Sequence, residues 1–289
     1  MIERCLQPAL MSLRHTVVLA SFALAGCSSM MNMPLAPSDD SATSASPANL
    51  TSLTQVVSNN PEDPQAYNMR GSVLGQGGRY QDALADFNKA IELDPTSAQA
   101  YANRGLAHRQ LRQLDLALTD YDRALGIDNT YAVAYVGRGM VHRDKGELLQ
   151  ALQDFNKAIQ IRPDNAQAYY NRGLLYQSQQ QHQFAIDDFS TAIGLSQQQA
   201  EPFIARGLSY LAVNDLKAAA GDFDDAVQIE PNNYQAWTSR GLVYERTNDR
   251  EKAAGCYAKA LSVRRDYQAA MAGFKRVGGD PTKTYSNYN

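Results

Sequence analysis

His108 and His142, Cys256 and the run Gly75-Gln76-Gly77-Gly78 are the places where chemistry would first be sought in these 289 residues. Imidazole is a common zinc ligand, but zinc needs its nitrogens within about 2 Å, so two rings would have to converge on one point. The histidines stand one 34-residue interval apart, and the same column continues as Leu74, Tyr176, Tyr210 and Tyr244. Such a column belongs to the edge of a core more than to a ligand set. The glycine run lacks the lysine and threonine that a phosphate-binding loop needs, and it follows a helical stretch, so it reads as a turn. No serine, histidine and acid set stands at a plausible nucleophile. The reading is therefore no enzyme, no metal and no cofactor. Cys5 and Cys27 lie near the start, which leaves Cys256 as a lone thiol at a helix position, expected to be buried and inert. A formal charge of −3 supplies no basic stripe for nucleic acid.

Arginine offers a different possibility. Arg70, Arg104, Arg138, Arg172, Arg206 and Arg240 each precede a glycine, at an interval of 34 that never slips. Six guanidinium groups could form an anion-binding row, or they could pair with Asp86, Asp120, Asp154, Asp188 and Asp222, each sixteen residues further on. The elements decide between these. Writing each unit from its first residue, an aromatic stands at position 4 (Tyr67 to Trp237), glycine at 8, alanine at 20 and 27, and a second aromatic at 24 (Phe87 to Tyr257). Positions 4, 7, 8 and 11 share one helical face and 20, 24, 27 and 28 another, the spacing of two amphipathic helices joined by a turn. Arginine at 7 and aspartate at 23 then lie at nearly equal distances from that turn and should face each other, as should glycine 8 and aromatic 24. Cys256 takes the place of a sixth aspartate, so pairing within a unit would strand Arg240 and pairing to the preceding unit would strand Arg70; the sequence leaves this open.

The lines AYANRGLAH and AYYNRGLLY, with the columns above and the closing prolines Pro95, Pro163 and Pro231, resemble the tetratricopeptide repeat family. Asn129, Gln197 and Arg265 depart from the proline, which implies looser joints there. The resemblance implies an all-α, right-handed α-α superhelix, a solenoid of six helix-turn-helix repeats at 64–97, 98–131, 132–165, 166–199, 200–233 and 234–267, with half-repeat caps at 49–63 and 268–276. In this family positions 2, 5, 9 and 12 of the first helix line a concave groove where partners lie. That implies a strip of Val133, Val136, Met140, Tyr170, Leu174, Ile204, Leu208 and Leu211, flanked by Arg109 and Arg143, with Asn103 and Asn171 at position 6 offering amides to a peptide. The family's clamp for a terminal carboxylate, built on lysine at 5 and asparagine at 9, is not matched.

The start of the chain is of another kind. Arg14 and His15 precede an apolar stretch 16–25 too short to span a bilayer. Leu24-Ala25-Gly26-Cys27 resembles the lipobox of bacterial lipoproteins, which implies a signal peptide at 1–26 (with Met11 as the true start), acyl chains on Cys27, and a membrane anchor in the envelope. With Ser28 in place of aspartate, the same resemblance implies the outer membrane, facing the periplasm. Residues 27–48 then read as a tether and 277–289 as a disordered tail. The whole resembles a lipid-anchored adaptor, broadly of the NlpI type, that gathers envelope proteins or peptides. Alternatives are an outer-membrane assembly factor or pilotin, or a self-associating, homodimeric scaffold.

Overall fold

A computed structural model describes residues 47–280, 282 and 285. The expectations for the signal peptide, Cys27 and all but the last two residues of the tether lie outside the described residues. What is described is helical throughout, without a strand. The helices are α1 (Pro47–Asn59), α2 (Pro64–Gln76), α3 (Tyr80–Leu93), α4 (Ala98–Gln110), α5 (Leu114–Ile127), α6 (Ala132–Lys145), α7 (Leu148–Ile161), α8 (Ala166–Ser178), α9 (His182–Leu195), α10 (Ala200–Ala212), α11 (Leu216–Ile229), α12 (Tyr234–Arg246), α13 (Arg250–Val263) and α14 (Gln268–Arg276).

Local chemistry sets the ends of these helices. Four of the six first helices begin behind side chains that accept from their opening amides: Asp63 from Gln65 N at 2.9 Å, Ser97 from Ala100 N at 3.2 Å, Asn165 from Ala168 N at 3.0 Å and Asn233 from Ala236 N at 2.9 Å. The turn inside each unit needs a left-handed residue. Gly78, Arg112, Gly146, Gln180, Asn214 and Asn248 all take positive φ, between 60° and 80°. Glycine and asparagine adopt this readily, whereas arginine and glutamine do so at a cost. At the joints between units, the Tyr131 amide reaches the Asp128 carbonyl at 3.2 Å across Asn129, much as Ser97 reaches Asp94 at 3.3 Å across Pro95. Aspartate supports the turn at both joints, with or without proline, because Asp128 Oδ1 accepts from the Thr130 amide at 2.8 Å and Asp94 Oδ1 from the Thr96 amide at 2.9 Å.

Each first helix packs on the second helix of its own unit and on that of the preceding one. First helices also touch the next first helices, α2 with α4 through to α12 with α14, whereas second helices make no such approach among the described residues. The stack therefore bends toward the first helices, which form its inner, concave wall. The core runs between the layers. Ala83, Phe87, Ala117, Ala151, Phe155, Ala185, Phe189, Ala219, Phe223 and Ala253 have no exposed surface. Glycine at position 8 makes room for that core: a Cβ on Gly71, Gly139, Gly173 or Gly207 would stand 2.7 Å from the ring of Phe87, Phe155, Phe189 or Phe223. Beyond α14 the chain does not wholly leave the fold: the Phe274 and Tyr285 rings meet edge to face at 5.8 Å. An apolar surface left bare at the last helix gives part of the expected tail something to cover.

Candidate functional site

The arginines turn inward to the second helices. Arg70 Nε and Nη2 donate to the two carboxylate oxygens of Asp86 at 2.8 and 2.7 Å. Arg104 with Asp120, Arg138 with Asp154, Arg172 with Asp188 and Arg206 with Asp222 repeat the fork at 2.6 to 2.9 Å. Pairing is thus within the unit. The third nitrogen supplies the link between units, since Nη1 of Arg104, Arg138, Arg172 and Arg206 donates to Asn88, Asp122, Asn156 and Ser190 of the unit before, at 2.7 to 2.9 Å. Arg240, facing Cys256 in place of an aspartate, pairs with Asp224 of the preceding unit at 2.6 Å. Position 25 therefore carries an oxygen in each of these units. That column was readable in the sequence, but its role was not.

Aromatic faces complete the cage. Each guanidinium lies 5.2 to 5.8 Å from the ring at position 4, from Tyr67 for Arg70 to Trp237 for Arg240. In the last three units Tyr176, Tyr210 and Tyr244 cover it from position 11. Where that position is histidine, His108 and His142 Nε2 stand 3.7 and 3.8 Å from Asp120 and Asp154, and their Nδ1 atoms meet Gln113 and Glu147 at 2.7 and 2.6 Å. Hydrogen bonds donated to the aspartates hold Arg70, Arg104, Arg138, Arg172 and Arg206 above the ordinary arginine pKa, against burial. Burial pushes the Cys256 thiol up to about 12. Among the described residues no His, Cys, Asp and Glu cluster could hold a metal ion.

The residues expected to line the groove sort differently. Val136, Met140, Tyr170 and Leu211 are buried, as are Asn103 and Asn171, so this wall does not present them to a partner. The cause is the close approach of neighbouring first helices, which turns parts of positions 5, 6, 9 and 12 into seam. Asn103 Nδ2 donates to Asn68 Oδ1 at 3.0 Å and Asn171 Nδ2 to the Gln167 carbonyl at 2.8 Å, so these amides serve the array itself. Val133, Leu174 and Ile204 remain partly exposed and Leu208 is 39% exposed. Arg109 Nε bonds Asp144 Oδ2 of the next unit at 2.7 Å, and Arg143 Nη1 bonds Asn171 Oδ1 at 3.0 Å. The sequence reading missed Asp144, and it missed Gln177, whose Nε2 reaches Ser209 Oγ and the Ala205 carbonyl, both at 2.8 Å.

Family comparisons agree with this geometry. A model described as TPR repeat matches residues 71–111 and 139–180, and two described as tetratricopeptide repeat match 98–131, 166–198 and 204–272. No curated protein sequence matches significantly. Among solved structures, Cut9 with Hcn1 of the APC/C is similar at TM-score 0.72 and 18% identity, over 81% of this chain and 46% of that one, so this chain spans less than half its length. Pseudomonas aeruginosa pilF is similar at TM-score 0.66 and 20% identity, over 75% and 99% of the two chains. YrrB, described as a TPR protein with an unusual peptide-binding site, is similar at TM-score 0.53 and 28% identity, over 65% and 97%. The repeated hairpins, the aromatic and glycine columns and these matches lead to one conclusion: the chain belongs to the tetratricopeptide repeat family, an all-α superhelical scaffold for protein–protein interaction that is generally not catalytic.

Proposed function

We propose that this protein is a lipid-anchored adaptor of the bacterial envelope, facing the periplasm, which holds a peptide segment of a partner protein along its concave wall. The observation that carries the binding half is the strip of Val133, Leu174, Ile204 and Leu208, apolar side chains left open on a wall whose neighbours are buried. Its apolar area offers anchors, and Arg143 beside it offers donors. A peptide-binding site in YrrB, the most nearly identical of the structures compared above, supports the same reading. The anchoring half rests on Leu24-Ala25-Gly26-Cys27 with Ser28, which fit acylation of a cysteine after a signal peptide.

Crosslinking in the intact envelope tests both halves. Capture of peptidases or cell-wall amidases by the wild type, lost when Leu208 and Ile204 become glutamate with the helix content unchanged, supports the adaptor. Secretin or pilus subunits would move the reading to an assembly factor, and self-contacts alone to a homodimeric scaffold. Labelled palmitate should enter the wild type and not Cys27→Ala; equal labelling would remove the anchor at that residue.

A further inference from the structure

The concave wall holds one arginine that the chain leaves incompletely matched. Asp144 stands next to Arg143 in sequence but gives its carboxylate to Arg109, at 2.7 Å, with both side chains largely buried. Among the described residues no carboxylate lies within ion-pairing distance of Arg143, whose bond is to the neutral amide oxygen of Asn171 at 3.0 Å. Burial pulls this guanidinium below the ordinary arginine value and Arg109 lowers it further, while Asp144 compensates in part. Every inward arginine with an aspartate in its own unit shows the opposite direction. Counting formal charges, Arg109, Asp144 and Arg143 leave one positive charge in this cluster. Arg143 as a residue keeps part of its surface exposed, at a first-helix position on the concave wall.

Desolvated cations are costly unless something pairs with them. Arg143 sits at position 12 of α6, and the partly exposed Leu174 and Ile204 follow on the first helices of the next two units. A carboxylate reaching Arg143 would be charge-complementary there, while neighbouring apolar side chains of the same segment lie on the strip. We infer that the groove selects an acidic peptide, with one side-chain carboxylate, from aspartate or glutamate, seated on Arg143 and its flanking apolar residues on the Leu174, Ile204 and Leu208 strip. This rests on the peptide-binding reading above and narrows it to a partner of stated charge. Bidentate hydrogen bonding of a carboxylate by a guanidinium supplies the specificity.

Selection of a random displayed decapeptide library on the full-length protein tests the inference. The wild type should enrich peptides carrying one fixed carboxylate beside apolar residues. Arg143→Gln, which should melt no lower than the wild type, should keep the apolar preference and lose the acidic one. For a selected peptide, Glu→Gln in the peptide or Arg143→Gln in the protein should each weaken binding by about tenfold or more, with little further loss when combined. Apolar peptides without an acidic position would overturn the inference and leave the groove standing. Acidic preference that persists in Arg143→Gln would overturn the assignment to this residue. No enrichment at all would overturn the peptide-binding reading, and the inference with it.

Discussion

Asp154→Ala, in the middle of the array, is the sharpest test of whether the arginine rungs hold the repeats in register. Asp154 is 7% exposed and accepts from Arg138 at 2.9 and 2.8 Å, so the substitution removes two charge-assisted hydrogen bonds at once. Each such bond contributes about 1.5–3 kcal/mol, and breaking a buried pair by removing one partner costs about 3–5 kcal/mol. Arg138 is not wholly abandoned, because it keeps Asp122 at 2.7 Å and the Tyr135 ring at 5.5 Å. The loss should therefore fall near the lower end, about 3 kcal/mol, which is a drop of about 6–12 °C in melting temperature for an array of this size. Circular dichroism during heating and in urea reads it across all helices, and Trp237, the one tryptophan, reads the sixth unit alone. Replacing both partners, Arg138→Met with Asp154→Leu, should recover most of the loss, since neither charge is then left unpaired in the seam. A loss below about 1 kcal/mol for Asp154→Ala, the range of a solvent-exposed pair, would refute the argument that these rungs are desolvated and structural.

Other consequences follow from neighbouring contacts. Gly173→Ala places a Cβ 2.7 Å from the Phe189 ring and should cost about 1–3 kcal/mol, whereas Gly105→Ala meets Tyr121 and Asp120 at 3.3 Å and should cost less; the two melting curves decide it. Gly137→Ala would clash with Cε1 and Cζ of the Tyr121 ring, so its cost should shrink when that ring is removed in a Tyr121→Leu background, and a double-mutant cycle showing no coupling would reject that contact. Arg112→Gly should stabilise by about 1 kcal/mol by relieving the left-handed turn at φ 61°, read from the urea midpoint. Cys256, raised from 9.0 to about 12, should resist a thiol reagent at pH 8 until the protein unfolds. With its folded pKa above the unfolded one, the thiol's contribution is complete below about pH 9 and is lost as pH rises toward 12; Cys256→Ala should lessen alkaline destabilisation across that window.

What could be read from the sequence is what repeats within a single hairpin. Gly173 against Phe189 and Arg172 against Asp188 follow from equal distances to one short turn, so periodicity alone sets them face to face. Contacts between units obey a second geometry, the angle at which hairpins stack, and no column states it. That is why Tyr170 and Met140, on the face where a groove was expected, lie in the seam, and why the Nη1 acceptors at Asn88, Asp122, Asn156 and Ser190 passed as ordinary polar surface. The same geometry links columns one unit apart. Position 24 is tyrosine at Tyr121 and Tyr257, and position 6 of the following unit is then glycine, Gly137 and Gly273, each in contact range of that ring. After Phe87 and Phe155 the same position carries Asn103 and Asn171, whose buried amides bond along the first-helix wall. A tyrosine in the core thus takes the space of a side chain at that seam position, so α6 brings a glycine rather than a buried amide to the wall between Asn103 and Asn171. Arg143, two turns further along α6, then finds its acceptor in the following unit, at Asn171. The local chemistry of the concave wall is set in this way by a ring chosen for packing on the layer behind it.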